Sequence, residues 1–124
     1  LVQNVQMPLL YRNQSIRSSR TEALRVLQQL GLFEKQNNKP HQLSAGQLQK
    51  GAIACALIQK PSVLFADEPT GNLDSKSTRE VMNIFEQLHK DGMTIVLVTH
   101  SEKVARYADR ILYMQDGTLL EPKK

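Results

Sequence analysis

Two short apolar runs, Val63-Leu64-Phe65-Ala66 and Thr94 to Val98, flank one helical pattern. Their separation matches the roughly thirty residues of a strand–helix–strand unit. Continuous apolar runs of this length predict strands covered on both faces. Between them, Ser75 to Lys90 places Val81, Ile84, Phe85 and Leu88 at helical spacing and stops before Gly92. Strands joined in this way lie parallel in a right-handed crossover, which implies an α/β sheet. Both carboxyl ends then point to one edge, where open parallel sheets bind ligands. The first run ends in Asp67-Glu68 and the second in Thr99-His100. Two carboxylates and an imidazole are thereby delivered to the same edge. Taken singly, Asp67 and His100 also read as turn or helix caps and Glu68 as a solvated acid; the pairing at equivalent strand ends favours chemistry.

The residues ahead of this unit read as helical. Ser19-Arg20-Thr21-Glu22 fits a capping box. It opens a helix that buries Ala23, Leu24, Leu27 and Leu30, with a left-handed exit at Gly31. Before it, Val2, Val5 and Met7 are compatible with an irregular or a helical segment interrupted by Pro8. After a polar loop from Glu34 to Gln42, Ser44-Ala45-Gly46-Gln47 forms a second capping box. Its helix runs to about Gln59 and stops at Pro61. Leu48, Ala52, Ile53, Cys55 and Ala56 are expected on its buried side. The start of this helix, with free amides and Gly46, also suits an anion, although the capping box alone accounts for the residues. Beyond the second strand, Ser101 opens a short helix to about Tyr107. Ile111 to Met114 and Thr118 to Leu120 flank Asp116-Gly117, a hairpin signal. The organisation expected is a helical part, 1–60, and a sheet part, 61–124.

Composition narrows the classes. The longest aliphatic run, Ile95 to Val98, is far short of the roughly 18 residues of a membrane span. A single cysteine, Cys55, closes no disulfide within the chain and suits a reducing compartment. The net charge of +4 comes from scattered basic residues, apart from Arg12, Arg17, Arg20 and the terminal Lys123-Lys124. No basic stripe interleaved with aromatics supports a nucleic-acid partner. His41, His89 and His100 have no standard metal-site spacing.

The motifs Leu43-Ser44-Ala45-Gly46-Gln47, Val63-Leu64-Phe65-Ala66-Asp67, Glu68, Gly71-Asn72-Leu73-Asp74 and His100 follow one another in this order. In order and spacing they resemble the nucleotide-binding domain of ABC transporters, and the wording ADEPTGNLD resembles lipoprotein-release, macrolide or antimicrobial-peptide exporters. The resemblance implies a partial P-loop NTPase fold of ABC type, with a helical subdomain, a parallel-strand core and a C-terminal hairpin. It implies ATP and Mg2+ as ligands. Asp67 would hold the metal, Glu68 would polarise the attacking water, and His100 would contact the γ-phosphate. Ser44, Ala45, Gly46 and Gln47, the signature segment, would meet ATP held by a second ATP-binding subunit, with Asp74 at the dimer contact. A transmembrane permease would be the driven partner, placing the chain on the cytoplasmic face of the cell membrane. A non-transport relative, working in cell division or on nucleic acid, carries similar motifs and is the alternative.

The P-loop, Gly-x-x-x-x-Gly-Lys-Ser/Thr, is expected upstream of these motifs. Gly46 and Gly51 have its glycine spacing, but Ala52-Ile53 follow them. The sequence therefore reads as the C-terminal part of a nucleotide-binding domain. On its own it is expected to bind ATP weakly, to hydrolyse none and to self-associate. Ala45 replaces the usual first signature glycine, and Lys50 replaces a common arginine, keeping charge without the planar fork.

Overall fold

The computed structural model describes residues 1–120. The expected Lys123-Lys124 basic pair lies outside the described residues. Helices α1 (Val2–Leu10), α2 (Ile16–Gln29) and α3 (Ala45–Leu57) come first. Strand β1 (Val63–Asp67), helix α4 (Ser75–Lys90), strand β2 (Thr94–Val98), helix α5 (Glu102–Ala105) and strands β3 (Tyr113–Gln115) and β4 (Thr118–Leu120) follow. The first segment is helical: Val2, Val5 and Leu9 share one buried face, and Pro8 is accommodated inside the helix. Met7 lies off that face and is 40% exposed.

Helix α2 begins a turn earlier than the Ser19 box predicts. Ser15 is its cap, its hydroxyl accepting from the Ser18 amide at 3.1 Å. Ser19 is fully buried, and its hydroxyl donates to the Ile16 carbonyl. Glu22, no longer needed for a box, pairs with Arg25 on the surface. Ser15 offers the same capping chemistry as Ser19, and starting there adds a full turn of backbone hydrogen bonds. Gly31, at φ 69°, makes the left-handed exit.

Strands β1 and β2 pair in parallel, with Leu64 opposite Ile95 and Asp67 opposite Val98. They are not covered on both faces. Leu64, Ala66, Ile95 and Leu97 pack against the core that contains Val81, Met82 and Phe85 of α4. Val63, Phe65, Val96 and Val98 point the other way and are exposed, Phe65 to 75%. A strand's side chains alternate between faces, and the helices cover only one of them. Helix α3 shows a related difference. Ile53, Ala54 and Ile58 are buried and Cys55 and Ala56 half-buried, whereas Leu48 and Ala52 are exposed. Burial raises the Cys55 thiol pKa, which suits a small, unreactive packing residue. The buried cluster as a whole runs from Val2 through Leu27 and Ile53 to Phe85 and Val104.

The hairpin forms a separate two-stranded sheet, with Tyr113 opposite Leu120. Asp116 and Gly117 both have positive φ, 49° and 76°, as a type I′ turn requires. Among the described residues no helix is long and apolar enough to cross a membrane.

The end of α4 is tied to the segment that leads into the hairpin through His89. Its Nε2 lies 2.9 Å from an Asp109 carboxylate oxygen, and its Nδ1 lies 3.1 Å from the Met93 carbonyl. Both ring nitrogens face acceptors, so the doubly protonated ring satisfies both. The Met93 carbonyl and then the Asp109 carboxylate raise the His89 pKa above its ordinary 6.5. A raised folded-state pKa gives stability that is complete below the unfolded value and is lost as pH rises through the folded one. Urea midpoints should therefore fall as pH climbs past the His89 midpoint, and His89→Gln should flatten that slope. Equal slopes in the two proteins would contradict the linkage.

Candidate functional site

The carboxyl ends of β1 and β2 converge as their parallel pairing requires. Glu68, the first residue beyond β1, extends the ladder by one bond: its amide donates to the Val98 carbonyl at 2.8 Å. Its backbone is left-handed, at φ 44°. For a residue with a Cβ this costs roughly 1 kcal/mol or more, and such outliers concentrate at functional sites. The turn that follows is closed by the Gly71 amide donating to the Glu68 carbonyl at 3.2 Å.

The Glu68 carboxylate is held by the loop after β2. One oxygen accepts from the His100 amide at 2.6 Å, and the other accepts from the Thr99 hydroxyl at 3.3 Å. The His100 imidazole is 99% exposed, with Nε2 3.9 Å from Glu68 Oε1. The expectation that Glu68 and His100 share an edge holds in the geometry, although the backbone amide of His100, not its ring, makes the close contact. Asp67 is exposed beside them, and it takes no part in the ion pairs of the described residues.

The described residues hold no cluster of three or more potential metal ligands. This does not conflict with Mg2+, which is commonly held by one or two carboxylates, water and substrate phosphates. An exposed Asp67 next to a carboxylate fits that mode, and a closed all-protein cage is not what these residues form.

The signature segment lies elsewhere, at the start of α3. Ser44 Oγ accepts from the Gln47 amide at 3.2 Å, and Gln47 Oε1 accepts from the Ser44 amide at 3.0 Å. The predicted box is therefore present, and these side-chain bonds stay within their own turn. Ala45 is exposed at the first helical position. Gly46 is buried against α4: a Cβ there would come within 2.9 Å of Ser77 Oγ and 3.0 Å of Ser77 Cβ. Close packing on Ser77 thus favours glycine here independently of any ligand, since an added methyl would make the Ser77 side chain shift.

Asp74 caps α4. Its Oδ1 accepts from the Lys76 and Ser77 amides, and its Oδ2 accepts from the Ser77 hydroxyl at 2.8 Å. The Ser77 amide and hydroxyl, then the Lys76 amide, hold the Asp74 carboxyl below its usual range. Asp74 therefore fixes the rotamer of the side chain that packs on Gly46. One turn further along, Lys50 Nζ meets Glu80 Oε2 at 2.6 Å, and this bond keeps the Glu80 pKa low. Sequence reasoning missed Ser77 and Glu80. The Asp-x-x-Ser spacing signals a helix cap, but nothing local reveals that the cap presses on another helix.

The family model described as ABC transporter matches residues 2–71. The chain belongs to the ABC transporter family. Its relatives include the macrolide export ATP-binding/permease protein MacB of Chlorobium luteolum, 47% identical over all of this chain and 18% of that protein's length. Another is the ABC transporter ATP-binding protein MJ1508 of Methanocaldococcus jannaschii, 43% identical over 97% of this chain and 54% of its own length. Among solved structures, the dimeric ATP-binding cassette MJ0796 bound to ADP and Pi superposes with a TM-score of 0.79 at 42% identity. That match covers 94% of this chain and 52% of the cassette. The cassette MJ1267 in its ADP conformation shares the fold, with a TM-score of 0.84 at 22% identity. The chain thus spans about half of the cassettes it matches, and the expected ABC-type α/β architecture is the one observed.

Gly46→Ala tests the helix contact. It should destabilise the fold by about 1–3 kcal/mol, the usual cost of overpacking. In a double-mutant cycle, Ser77→Gly should recover part of that loss by making room for the methyl. Strict additivity in chemical denaturation would show that the two helices do not meet there.

Proposed function

We propose that this chain supplies the hydrolytic edge and the signature helix of the ATP-hydrolysing subunit of an exporter. The observation that carries this reading is the hydrogen-bonded union of Glu68 with the Thr99–His100 loop, at the carboxyl ends of parallel strands in an ABC-family chain. Glu68 orients and polarises the water that attacks the γ-phosphate of ATP. The exposed His100 ring reaches toward that phosphate. Asp67 would hold Mg2+, which when bound would neutralise phosphate charge. Catalysis of this kind works by positioning and charge stabilisation, and held side chains suit it because they need little rearrangement.

Ser44, Ala45, Gly46 and Gln47 present the start of α3 to ATP held by a second ATP-binding subunit, and Asp74 lies at the contact between subunits. The dimeric state named for MJ0796 supports this division. The driven partner is a membrane-spanning permease, and the cargo a peptide, lipoprotein or drug-like molecule; the names of the MacB relatives support a permease partner and, through the words macrolide export, the drug-like cargo. The working location is then the cytoplasmic face of the membrane. Residues 1–60 act as the helical, signature-bearing part, and 61–124 as part of the ATPase core.

In a complete cassette carrying these residues, Glu68→Gln should abolish turnover while ATP stays bound in a closed dimer, because the amide keeps the shape but cannot accept a proton. Turnover at the original rate would remove Glu68 from the mechanism. A second expectation concerns the 124-residue chain by itself. The bare apolar face around Phe65 should drive association. Light scattering should report a mass above the monomer that falls in Phe65→Lys; a monomeric wild-type chain at high concentration would contradict this.

A further inference from the structure

We propose that Thr99 is a positioning residue, whose hydroxyl sets the direction of the Glu68 carboxylate and couples it to the loop that carries His100. The proposal rests on the reading of Glu68 as the group that orients the attacking water.

The hydrogen bonds around Thr99 assign its single hydroxyl proton. The Ser101 amide donates to Thr99 Oγ1 at 3.1 Å, so the oxygen acts as an acceptor there. The proton is left for Glu68 Oε2, 3.3 Å away. Accepting one bond polarises the hydroxyl and strengthens the one it donates. The other Glu68 oxygen accepts from the His100 amide at 2.6 Å. Consecutive residues therefore hold the two oxygens of one carboxylate.

The two-point hold has a specific consequence. With the His100 amide alone, the carboxylate could still turn about its last bond, since that torsion is broad. The Thr99 hydroxyl, at a long 3.3 Å, narrows that freedom by favouring one carboxylate direction. A carboxylate offers about four lone-pair directions, and the loop takes two of them. The remaining two are left free by the loop, on a side chain that is 36% exposed. Thr99 also links Glu68 to the Ser101 amide at the start of α5, so a shift of this loop is felt at the carboxylate. A hydroxyl that served only the Ser101 turn would have no reason to face the acid.

The test uses wild type, Thr99→Val, Thr99→Ser, Glu68→Gln and the double variant Glu68→Gln/Thr99→Val in a complete cassette. Single-turnover hydrolysis and nucleotide affinity are measured separately. Thr99→Val should slow hydrolysis about tenfold to a hundredfold, the scale of a misplaced catalytic group. Nucleotide affinity should change by less than about twofold, because the ground state is untouched. Thr99→Ser should restore most of the rate, and Thr99→Val should add nothing to Glu68→Gln. Thr99→Val near the wild-type rate, with Glu68→Gln inactive, overturns the role of Thr99 and leaves that of Glu68 standing. Normal turnover in Glu68→Gln overturns the underlying reading and the proposal with it. Equal loss of rate and affinity, or no rescue by serine, marks a merely structural residue and also overturns it. Amide spectra of the complete cassette give a readout apart from turnover. The His100 amide proton should lie downfield, and it should move upfield in Thr99→Val, or in Thr99→Ala should valine prevent folding, but not in Thr99→Ser. An unmoved resonance in a folded hydroxyl-free variant overturns the proposal.

Discussion

The parallel pairing of β1 with β2 is the constraint on which the rest depends. Its register sets Asp67 beside Val98, so the next residue on each strand leaves the sheet at the same level. Glu68 then turns back in a left-handed conformation while still donating to the Val98 carbonyl. That ladder bond and the two donors on the carboxylate offset the backbone cost of roughly 1 kcal/mol or more. An antiparallel pairing would send the acids and the histidine to opposite edges. The chemistry available to this chain therefore follows from strand direction before any side chain is considered.

A second constraint joins the sheet edge to the helices. From Glu68 the chain passes through Pro69 and Thr70, both buried, and then reaches Asp74 at the start of α4. Asp74 fixes Ser77, Ser77 packs on Gly46, and Lys50 binds Glu80 one turn later. The starts of α3 and α4 are thereby clamped together through a glycine contact and an ion pair. Exposed ion pairs contribute little, typically under about 1 kcal/mol. The close packing at Gly46 is the firmer link, since it tolerates no added methyl without movement.

The parts legible in the sequence are those fixed by local chemistry. Helix α4, strand β2 and the Asp116-Gly117 turn stand where periodicity and turn residues put them. The capping box at Ser44 is also a local signal, and it forms as expected. The start of α2 was not legible because Ser15, Ser18 and Ser19 are interchangeable as caps; burial of Ser19 against the core decided among them. Sheet coverage is not legible for a different reason. An apolar run says that both faces of a strand are hydrophobic, but not which of them the helices reach. Leu48 and Ala52 lie exposed for the same reason, since an apolar residue on a helix does not name its neighbour.

The candidate site divides labour between backbone and side chain in a way no motif reveals. At His100 the amide makes the short bond to Glu68, while the ring extends almost wholly into solvent. Holding and reaching are thus assigned to different atoms of one residue. A substitution of the ring leaves the amide bond in place, so the Glu68 carboxylate and the imidazole are separable functions despite their proximity. The hydroxyl of Thr99 has the complementary character: it is half-buried, and both of its hydrogen bonds are internal. A residue with no solvent-facing chemistry of its own, placed against an acid that has some, governs that acid's orientation; the exposed ring beside it remains free to meet a ligand.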